Sequence, residues 1–294
     1  MSCSCDARSK RKSGWWCVHN DPCGLCCVVL TYGLLTFADY VVDHALLRPW
    51  LGETANYYAL KCSFFLISFL AMFSHARAMT TDPGAVPLEY QPDTLLGAES
   101  GNKMAMCSRC NGYKPPRAHH CSQCDRCVMK MDHHCPWVNN CVGVNNQKHF
   151  VLFCFYTMLL SAYALVLLAC RSMFATEGIL GGHPRGGRHR PYGVEAATDP
   201  AGKFLLMALL FFEAILFGLF TCAMFTEQIG SITSDQTAIE RLKHDYSPQQ
   251  QRSTLHLLSE TFGRPFSLLW MLPTEVRYNG LTWLDMLPME CQDV

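Results

Sequence analysis

Apolar residues gather into four long runs: about Leu25 to Leu47, about Tyr57 to Ala76, about Phe150 to Cys170 and about Phe204 to Phe225. At the helical rise, about 20 residues cross the roughly 30 Å hydrocarbon core of a bilayer, so each run predicts a membrane-spanning helix. The third is the cleanest, with no charged residue from Phe150 to Ala169. The first carries Asp39, Asp43 and His44, so it is either amphipathic at its far end or ends near Asp39. The fourth carries Glu213 at mid-depth, where a carboxylate by default faces the helix bundle. The competing reading makes these runs the core helices of a large soluble protein. Four runs of this length, in a chain with 16% charged and 50% hydrophobic residues, speak against it.

Between the second and third runs the pattern changes completely. Seven cysteines and four histidines fall within the 35 residues from Cys107 to Cys141. They read Cys107-Ser-Arg-Cys110, His119-His120-Cys121-Ser-Gln-Cys124-Asp-Arg-Cys127, and Asp132-His133-His134-Cys135-Pro136-Trp137, closing at Cys141. Paired cysteines two residues apart, completed by a distant pair, are what tetrahedral zinc sites require. Two sites take eight ligands. Six cysteines and one histidine from each His-His doublet supply them, and one thiol is left over. An interleaved pairing places Cys107, Cys110, His120 and Cys127 on one ion and Cys121, Cys124, His134 and Cys141 on the other, sparing Cys135. A sequential pairing would divide Cys121, Cys124 and Cys127 differently and recruit Cys135. Pro115-Pro116, Gly112 and Gly143 argue against long helices here, so short β-hairpins held by metal are expected. Asp82-Pro83-Gly84 marks the turn by which the chain leaves the second span, and a loose polar linker follows to about Lys103.

Basic residues orient the spans. Arg8, Lys10, Arg11 and Lys12 precede the first; Arg77, Lys103, Arg109, Lys114, Arg117, Arg126, Lys130 and Lys148 lie between the second and third. The loop between the first two spans offers only Arg48. The loop after the third, with Arg171, Arg185, Arg188, Arg190 and Lys203, runs against the rule. Zinc thiolates and a spare thiol need a reducing compartment, which keeps both termini and the metal segment in the cytosol. No cleavable leader is expected; the first span acts as a signal anchor. Cys3, Cys5, Cys26 and Cys27 are candidate S-acylation positions. The expected architecture is an all-α membrane protein of four transmembrane helices, with a cytosolic two-zinc cysteine-rich domain of short β-hairpins between helices 2 and 3. Its parts are an N-terminal arm (1–24), helices 1 and 2 (25–76), the zinc domain (77–149), helices 3 and 4 with a lumenal loop (150–225) and a cytosolic tail (226–294).

Asp132-His133-His134-Cys135, inside this cysteine-rich frame and followed by Pro136-Trp137-Val138-Asn139-Asn140-Cys141-Val142-Gly143, resembles the DHHC family of protein S-palmitoyltransferases. The resemblance runs from about Cys107 to Asn146 without a gap, takes in Asp82-Pro83-Gly84, and extends loosely into the tail. Phe262-Gly263-Arg264-Pro265-Phe266-Ser267-Leu268 is similar to the Golgi-type branch. The resemblance implies the interleaved zinc pairing, with His134 a ligand and His133 free. It also implies two-step acyl transfer from palmitoyl-CoA through Cys135 to cysteines of substrate proteins, in a multi-pass Golgi membrane protein. In two places the chain departs from the family. Its Thr-Thr-x-Glu motif is Thr237-Ala238-Ile239-Glu240 here, so the threonine that contacts the catalytic aspartate in the family is alanine, and support for that carboxylate must come from Thr237 or elsewhere. An asparagine six residues before the tail glycine is replaced by Leu257.

The chemistry follows from the residue types. A cysteine thiol has an ordinary pKa near ~8.5 and is mostly protonated at cytosolic pH. His133 can take its proton while Asp132 orients the imidazole and stabilises its charged form, the logic of a nucleophile, base and orienting group. Lys114, Arg117, Lys130 and Lys148 are candidate contacts for CoA phosphates, and Trp137 would stack beside the thioester or anchor at the interface. The alternative is a membrane-anchored zinc-binding interaction module, which has no use for a spare thiol beside His and Asp. Nucleic-acid binding lacks the zinc-finger spacing and basic helix it would need. Gln292-Asp293-Val294 could enter a PDZ groove, and a homo-oligomer is open.

Overall fold

A computed structural model describes residues 21–86, 105–180, 200–243 and 252–276, with side chains from 175 to 180 excepted. The N-terminal basic cluster with Cys3 and Cys5, most of the linker before the metal segment, Arg185, Arg188 and Arg190, and the terminal Gln292-Asp293-Val294 lie outside the described residues.

Among the described residues, four helices are long and apolar enough to cross a membrane: Pro22–Leu51, Ala55–Thr80, Gln147–Phe174 and Pro200–Thr233. All four overrun the apolar runs that announced them. Hydropathy marks only the part that hydrocarbon covers. A helix goes on satisfying its backbone groups until the chain turns, as it does at Gly52 with φ +61° and at Asp235 with φ +52°. The elements are α1 (Pro22–Tyr40), a π-helical stretch (Val41–Leu47), α2 (Arg48–Leu51) and α3 (Ala55–Thr80). Short strands β1 to β6 follow, then α4 (Gln147–Leu180), α5 (Pro200–Thr233), α6 (Ala238–Lys243) and α7 (Thr254–Phe262).

The chain packs as two units. One comprises residues 32–72 and 154–225, and all its regular elements among the described residues are helical, joined by a turn at 52–54. Its core is Val41, Val42, Leu46, Leu47, Tyr57 and Phe64 with Leu160, Ala164, Leu167, Leu210 and Ala214. The first span does not stop at Asp39. It continues through the π-helical stretch because Asp43 is buried with partners: Tyr57 Oη donates to its Oδ1 at 2.5 Å and Lys61 Nζ to its Oδ2 at 2.6 Å. Asp39 accepts from Ser68 Oγ at 2.9 Å. Outward on α5, Phe212, Leu216 and Leu219 are 68%, 66% and 69% exposed. Large apolar side chains displayed this way suit lipid and not water, so the soluble-core reading fails.

The other unit comprises residues 1–31, 73–153 and 226–294. Its metal segment folds as three antiparallel hairpins: β1 (Met106–Cys107) with β2 (Gly112–Tyr113), β3 (Ala118–Cys121) with β4 (Arg126–Met129), and β5 (His133–Cys135) with β6 (Asn140–Val142). Asn111, Asp125 and Asn139 take positive φ at the three hairpin turns, as side chains that tolerate the left-handed region do. Asp82 Oδ1 accepts from the N–H groups of Gly84 and Ala85 at 2.9 and 2.8 Å, the expected turn, with Gly84 at φ +101°. That turn leads the chain along β4, where Met129 N donates to Gly84 O and Val86 N to Cys127 O, both at 2.8 Å. Gly143 is required by close approach: a Cβ there would stand 2.5 Å from the Pro83 carbonyl oxygen. The two small cores are built largely from the cysteines themselves, Cys107 and Cys127 with Val86 and Ala118, and Cys121 and Cys141 with Val128 and Met131. So little apolar burial cannot offset chain entropy unaided.

Candidate active site

Register brings the ligands together. In β3–β4, His120 stands opposite Cys127; in β5–β6, His134 stands opposite Cys141. Each pair closes over a Cys-x-x-Cys turn, in which the N–H of Cys110 points at Cys107 Sγ (3.5 Å) and that of Cys124 at Cys121 Sγ (3.4 Å). Among the described residues, two groups then gather four ligand atoms within 4.8 Å of one another: Cys107, Cys110, His120 and Cys127, and Cys121, Cys124, His134 and Cys141. This is the interleaved arrangement. A zinc tetrahedron with ligand distances of about 2.1–2.3 Å has edges of about 3.5–3.8 Å. The observed separations fit: Cys107 Sγ to His120 Nδ1 3.6 Å, Cys110 Sγ to Cys127 Sγ 3.8 Å, Cys121 Sγ to His134 Nδ1 3.6 Å, Cys124 Sγ to Cys141 Sγ 3.4 Å.

Electrostatics point the same way. Bonding from Cys124 and Cys141 drives the Cys121 thiol toward ionisation, while that neighbouring charge holds Cys124 up at about 12. In the other group burial and the adjacent thiols hold Cys127 up at about 12. Thiols this close cannot all ionise unless a cation sits among them. Both ligand histidines use Nδ1, and a carboxylate lies near each Nε2: Asp125 at 3.7 Å from His120 and Asp21 at 3.5 Å from His134. Neither distance is a hydrogen bond, but a negative charge on that side favours the proton on Nε2, which leaves Nδ1 for the metal.

Cys135 belongs to neither group. It is buried at the end of β5, 5% exposed. His133, two residues back on the same strand, presents Nδ1 to Asp132 Oδ2 at 2.8 Å, and its ring packs edge-on against Phe150. Burial opposes protonation of His133, but interaction with Asp132 and then with Cys135 outweighs it and carries the pKa up to about 9. Burial alone would raise the Asp132 carboxyl; bonds from His133, the Ala238 N–H and Gln228 overcome that and bring it to about 2. The dyad therefore stabilises an imidazolium, as abstraction of a thiol proton requires, and leaves a buried Nε2 facing away from Asp132 with no hydrogen-bond partner among the described residues.

The Thr237–Glu240 segment serves this carboxylate differently from the family pattern. Thr237 Oγ1 accepts from the Glu240 N–H at 3.3 Å, and Glu240 Oε2 accepts from the Thr237 N–H at 2.9 Å, a reciprocal capping box at the start of α6. Thr237 is thus committed to the cap. The Ala238 N–H reaches Asp132 Oδ1 at 2.8 Å, with Gln228 and Ser231 of α5 also donating to Asp132. Leu257, at the other departure, is a buried apolar residue of α7.

Two of the basic residues expected at phosphates are turned inward. Arg117 donates to Glu240 Oε1 and Oε2 at 2.7 and 2.9 Å and to Asp235 Oδ1 at 2.8 Å. Lys148 is 1% exposed, and its Nζ donates to the carbonyls of Leu269 and Thr274 at 2.9 and 3.3 Å. The Arg117 charge is matched by carboxylates, and the buried Lys148 ammonium has its donors taken up by carbonyls, so neither is offered to a ligand. Lys130 lies 3.7 Å from Asp235, and Lys114 is half-buried after β2. Trp137 lies in a 3-10 turn (Pro136–Val138), and its carbonyl meets His75 Nε2 at 2.8 Å. Replacing Arg117 with alanine leaves Glu240 buried without its cation, while Asp235 keeps Arg252 and Lys130. The expected cost is about 3 kcal/mol, at the low end for a buried pair because Arg117 keeps some solvent contact. It is read as a lower thermal midpoint of the solubilised protein; an unchanged midpoint would contradict it.

Several functional residues had no role in the sequence reading. Asn140 Nδ2 lies 2.9–3.2 Å from the carbonyls of Ala78, Met79 and Thr81, capping α3. Asn146 donates to the carbonyls of Ala78 and Cys141 and accepts from the Gly143 N–H. The Asn139-Asn140 and Asn145-Asn146 doublets were the available signal. Gln228, Ser231 and Asp235 left none.

Comparison with known proteins places this geometry among relatives. Residues 100–245 match the family described as DHHC palmitoyltransferase. Palmitoyltransferase ZDHHC3 of Rattus norvegicus is 39% identical over 256 residues, covering 86% of this chain and 81% of the relative. Palmitoyltransferase ZDHHC7 of Mus musculus is 40% identical over 262 residues, 86% of this chain and 79% of the relative. Palmitoyltransferase ZDHHC21 of Danio rerio is 35% identical over 261 residues, 88% and 92% respectively.

Proposed function

The chain belongs to the DHHC palmitoyltransferase family, and from that premise we propose that Cys135 is its nucleophile, His133 its general base and Asp132 the group that orients the base. It is a multi-pass membrane protein and a protein S-acyltransferase. The donor is palmitoyl-CoA. His133 takes the Cys135 proton, the sulfur attacks the thioester carbonyl carbon, and the bond to CoA sulfur breaks, with CoA leaving as the protonated thiol. In the second half a substrate cysteine gives its proton to His133 and attacks the Cys135 thioester; Cys135 leaves and recovers the proton. One thioester replaces another at each step, so neither half needs an energy source.

Two zinc ions, held by Cys107, Cys110, His120 and Cys127 and by Cys121, Cys124, His134 and Cys141, would supply folding energy and cross-linking. The membrane explains the substrate: a sixteen-carbon chain gains about 0.8 kcal/mol per buried CH₂, so it rests in hydrocarbon while the CoA head stays in water. Of the basic residues, Lys114 and Lys130 remain for the CoA phosphates. We place the zinc segment and both termini in the cytosol, with the domain limits given above, and the protein at the Golgi on its tail motif.

The observation that carries the assignment is the 2.8 Å contact between Asp132 and His133 next to a thiol that neither ligand group claims. The test is transfer in two stages. Solubilised protein loaded from labelled palmitoyl-CoA and freed of excess donor is expected to pass its label to a cysteine peptide. Label that leaves only as free fatty acid would sink the transferase reading. His133→Ala should slow loading by about 10²–10⁴, the usual worth of a positioned base. A loss below tenfold would remove His133 from that role.

A further inference from the structure

The Asp132 carboxylate receives four donors, two on each oxygen. Oδ2 accepts from His133 Nδ1 and from Gln228 Nε2, each at 2.8 Å; Oδ1 accepts from the Ala238 N–H at 2.8 Å and from Ser231 Oγ at 3.1 Å. Gln228 and Ser231, each 2% exposed, stand three residues apart and therefore on one face of α5. The Gln228 amide is oriented by a second contact, since its Oε1 accepts from Gln147 Nε2 at 3.2 Å, which turns the NH₂ group to the carboxylate. Ser231 has one proton and two acceptors within reach, Asp132 Oδ1 and the Gln236 carbonyl at 3.0 Å. The charged acceptor makes the stronger bond.

We propose that Gln228 and Ser231 are positioning residues for acyl loading, clamping the Asp132 carboxylate in place of the threonine hydroxyl that this chain lacks at Ala238. This rests on the assignment of Cys135, His133 and Asp132 given above. Apart from the imidazole it has to orient, the carboxylate would otherwise be held only by the Ala238 N–H on Oδ1, which leaves it free to pivot about its Cβ–Cγ bond. Two side chains on one rigid helix, one per oxygen, remove that freedom. Oδ2 is then kept on His133 Nδ1, and Nε2 is the ring nitrogen left for the thiol. Neither residue touches the acyl donor in this scheme, so their loss should change the rate of loading and not the donor concentration that half-saturates it.

The experiment is single-turnover loading of the full-length, detergent-solubilised protein from labelled palmitoyl-CoA, with bound zinc measured in every variant. Gln228→Leu and Ser231→Ala are each expected to slow loading about tenfold, and the pair about 10²-fold, within the range a positioned base supplies. Half-saturation should stay at the wild-type value with both zinc ions retained. Ala238→Thr added to the pair should recover about tenfold, because it returns a hydroxyl to Asp132; a purely structural role for the two residues predicts no recovery. Wild-type loading by the folded double variant, or no recovery from Ala238→Thr, overturns the proposal. Should the double variant lose zinc, Ser231→Ala, which removes one oxygen only, decides: an unchanged rate overturns it. Wild type that fails to load Cys135 counts against the acyltransferase assignment itself, whereas loaded wild type with an unaffected pair of variants counts against this inference alone.

Discussion

Cys135→Ser is expected to abolish acyl loading while leaving both zinc ions in place. A serine hydroxyl is far more weakly acidic than a thiol, so His133, with a pKa of about 9, cannot ionise it to any useful extent. The substitution changes one atom in a buried side chain and disturbs neither ligand group, whose atoms lie within 4.8 Å of one another without Cys135. The measurement is labelled acyl on the purified protein together with zinc content. Wild type should hold two zinc ions and a label removed by neutral hydroxylamine; the variant should hold two zinc ions and none of that label. Equal labelling of both proteins would move the chemistry to other cysteines, such as Cys26 and Cys27. Loss of one zinc from the variant would make Cys135 a ligand and dismantle the assignment.

Cys141→Ala should have a different and broader consequence: loss of one zinc ion, loss of the β5–β6 hairpin and loss of loading together. Cys141 is fully buried, stands opposite His134 in the hairpin and belongs to the small core of Cys121, Val128 and Met131. Structural zinc contributes about 10–16 kcal/mol in small zinc domains, as much as the whole stability of a typical fold. No apolar core of that worth stands behind it here. Because the same hairpin carries His133 and Cys135, its collapse removes the active site. Zinc stoichiometry and limited proteolysis of the metal segment check this, and a chelator acting on wild type should reproduce the pattern. A variant that kept two zinc ions and loaded normally would show that Cys141 is not a ligand. Set beside Cys135→Ser, it separates residues that build the site from the one that reacts.

Much of this was legible in the chain. Four apolar runs announced four membrane helices, because hydrocarbon must be covered by self-satisfied helical backbone whatever the rest of the protein does. The ligand spacing announced two zinc groups, because a Cys-x-x-Cys turn is a local structure. The Asp82-Pro83-Gly84 turn followed from residues that tolerate its backbone angles. What failed was equally specific. Arg117 and Lys148 were candidate contacts for CoA phosphates, and a sequence cannot show that Glu240, more than a hundred residues later, returns to meet the first.

The support of Asp132 was the largest gap. The chain showed that a threonine was missing at Ala238; it could not show that a backbone N–H would occupy the same spot, or that Gln228 and Ser231 would join it. Spacing within a turn, hairpin or helix is set by short-range geometry, so the sequence by itself determined the spans, the two Cys/His clusters and the adjacency of Asp132, His133 and Cys135, all local in the chain. Which donors surround a buried carboxylate depends on where distant segments pack. That is decided by the burial of every polar group at once, and only the tertiary structure could decide it.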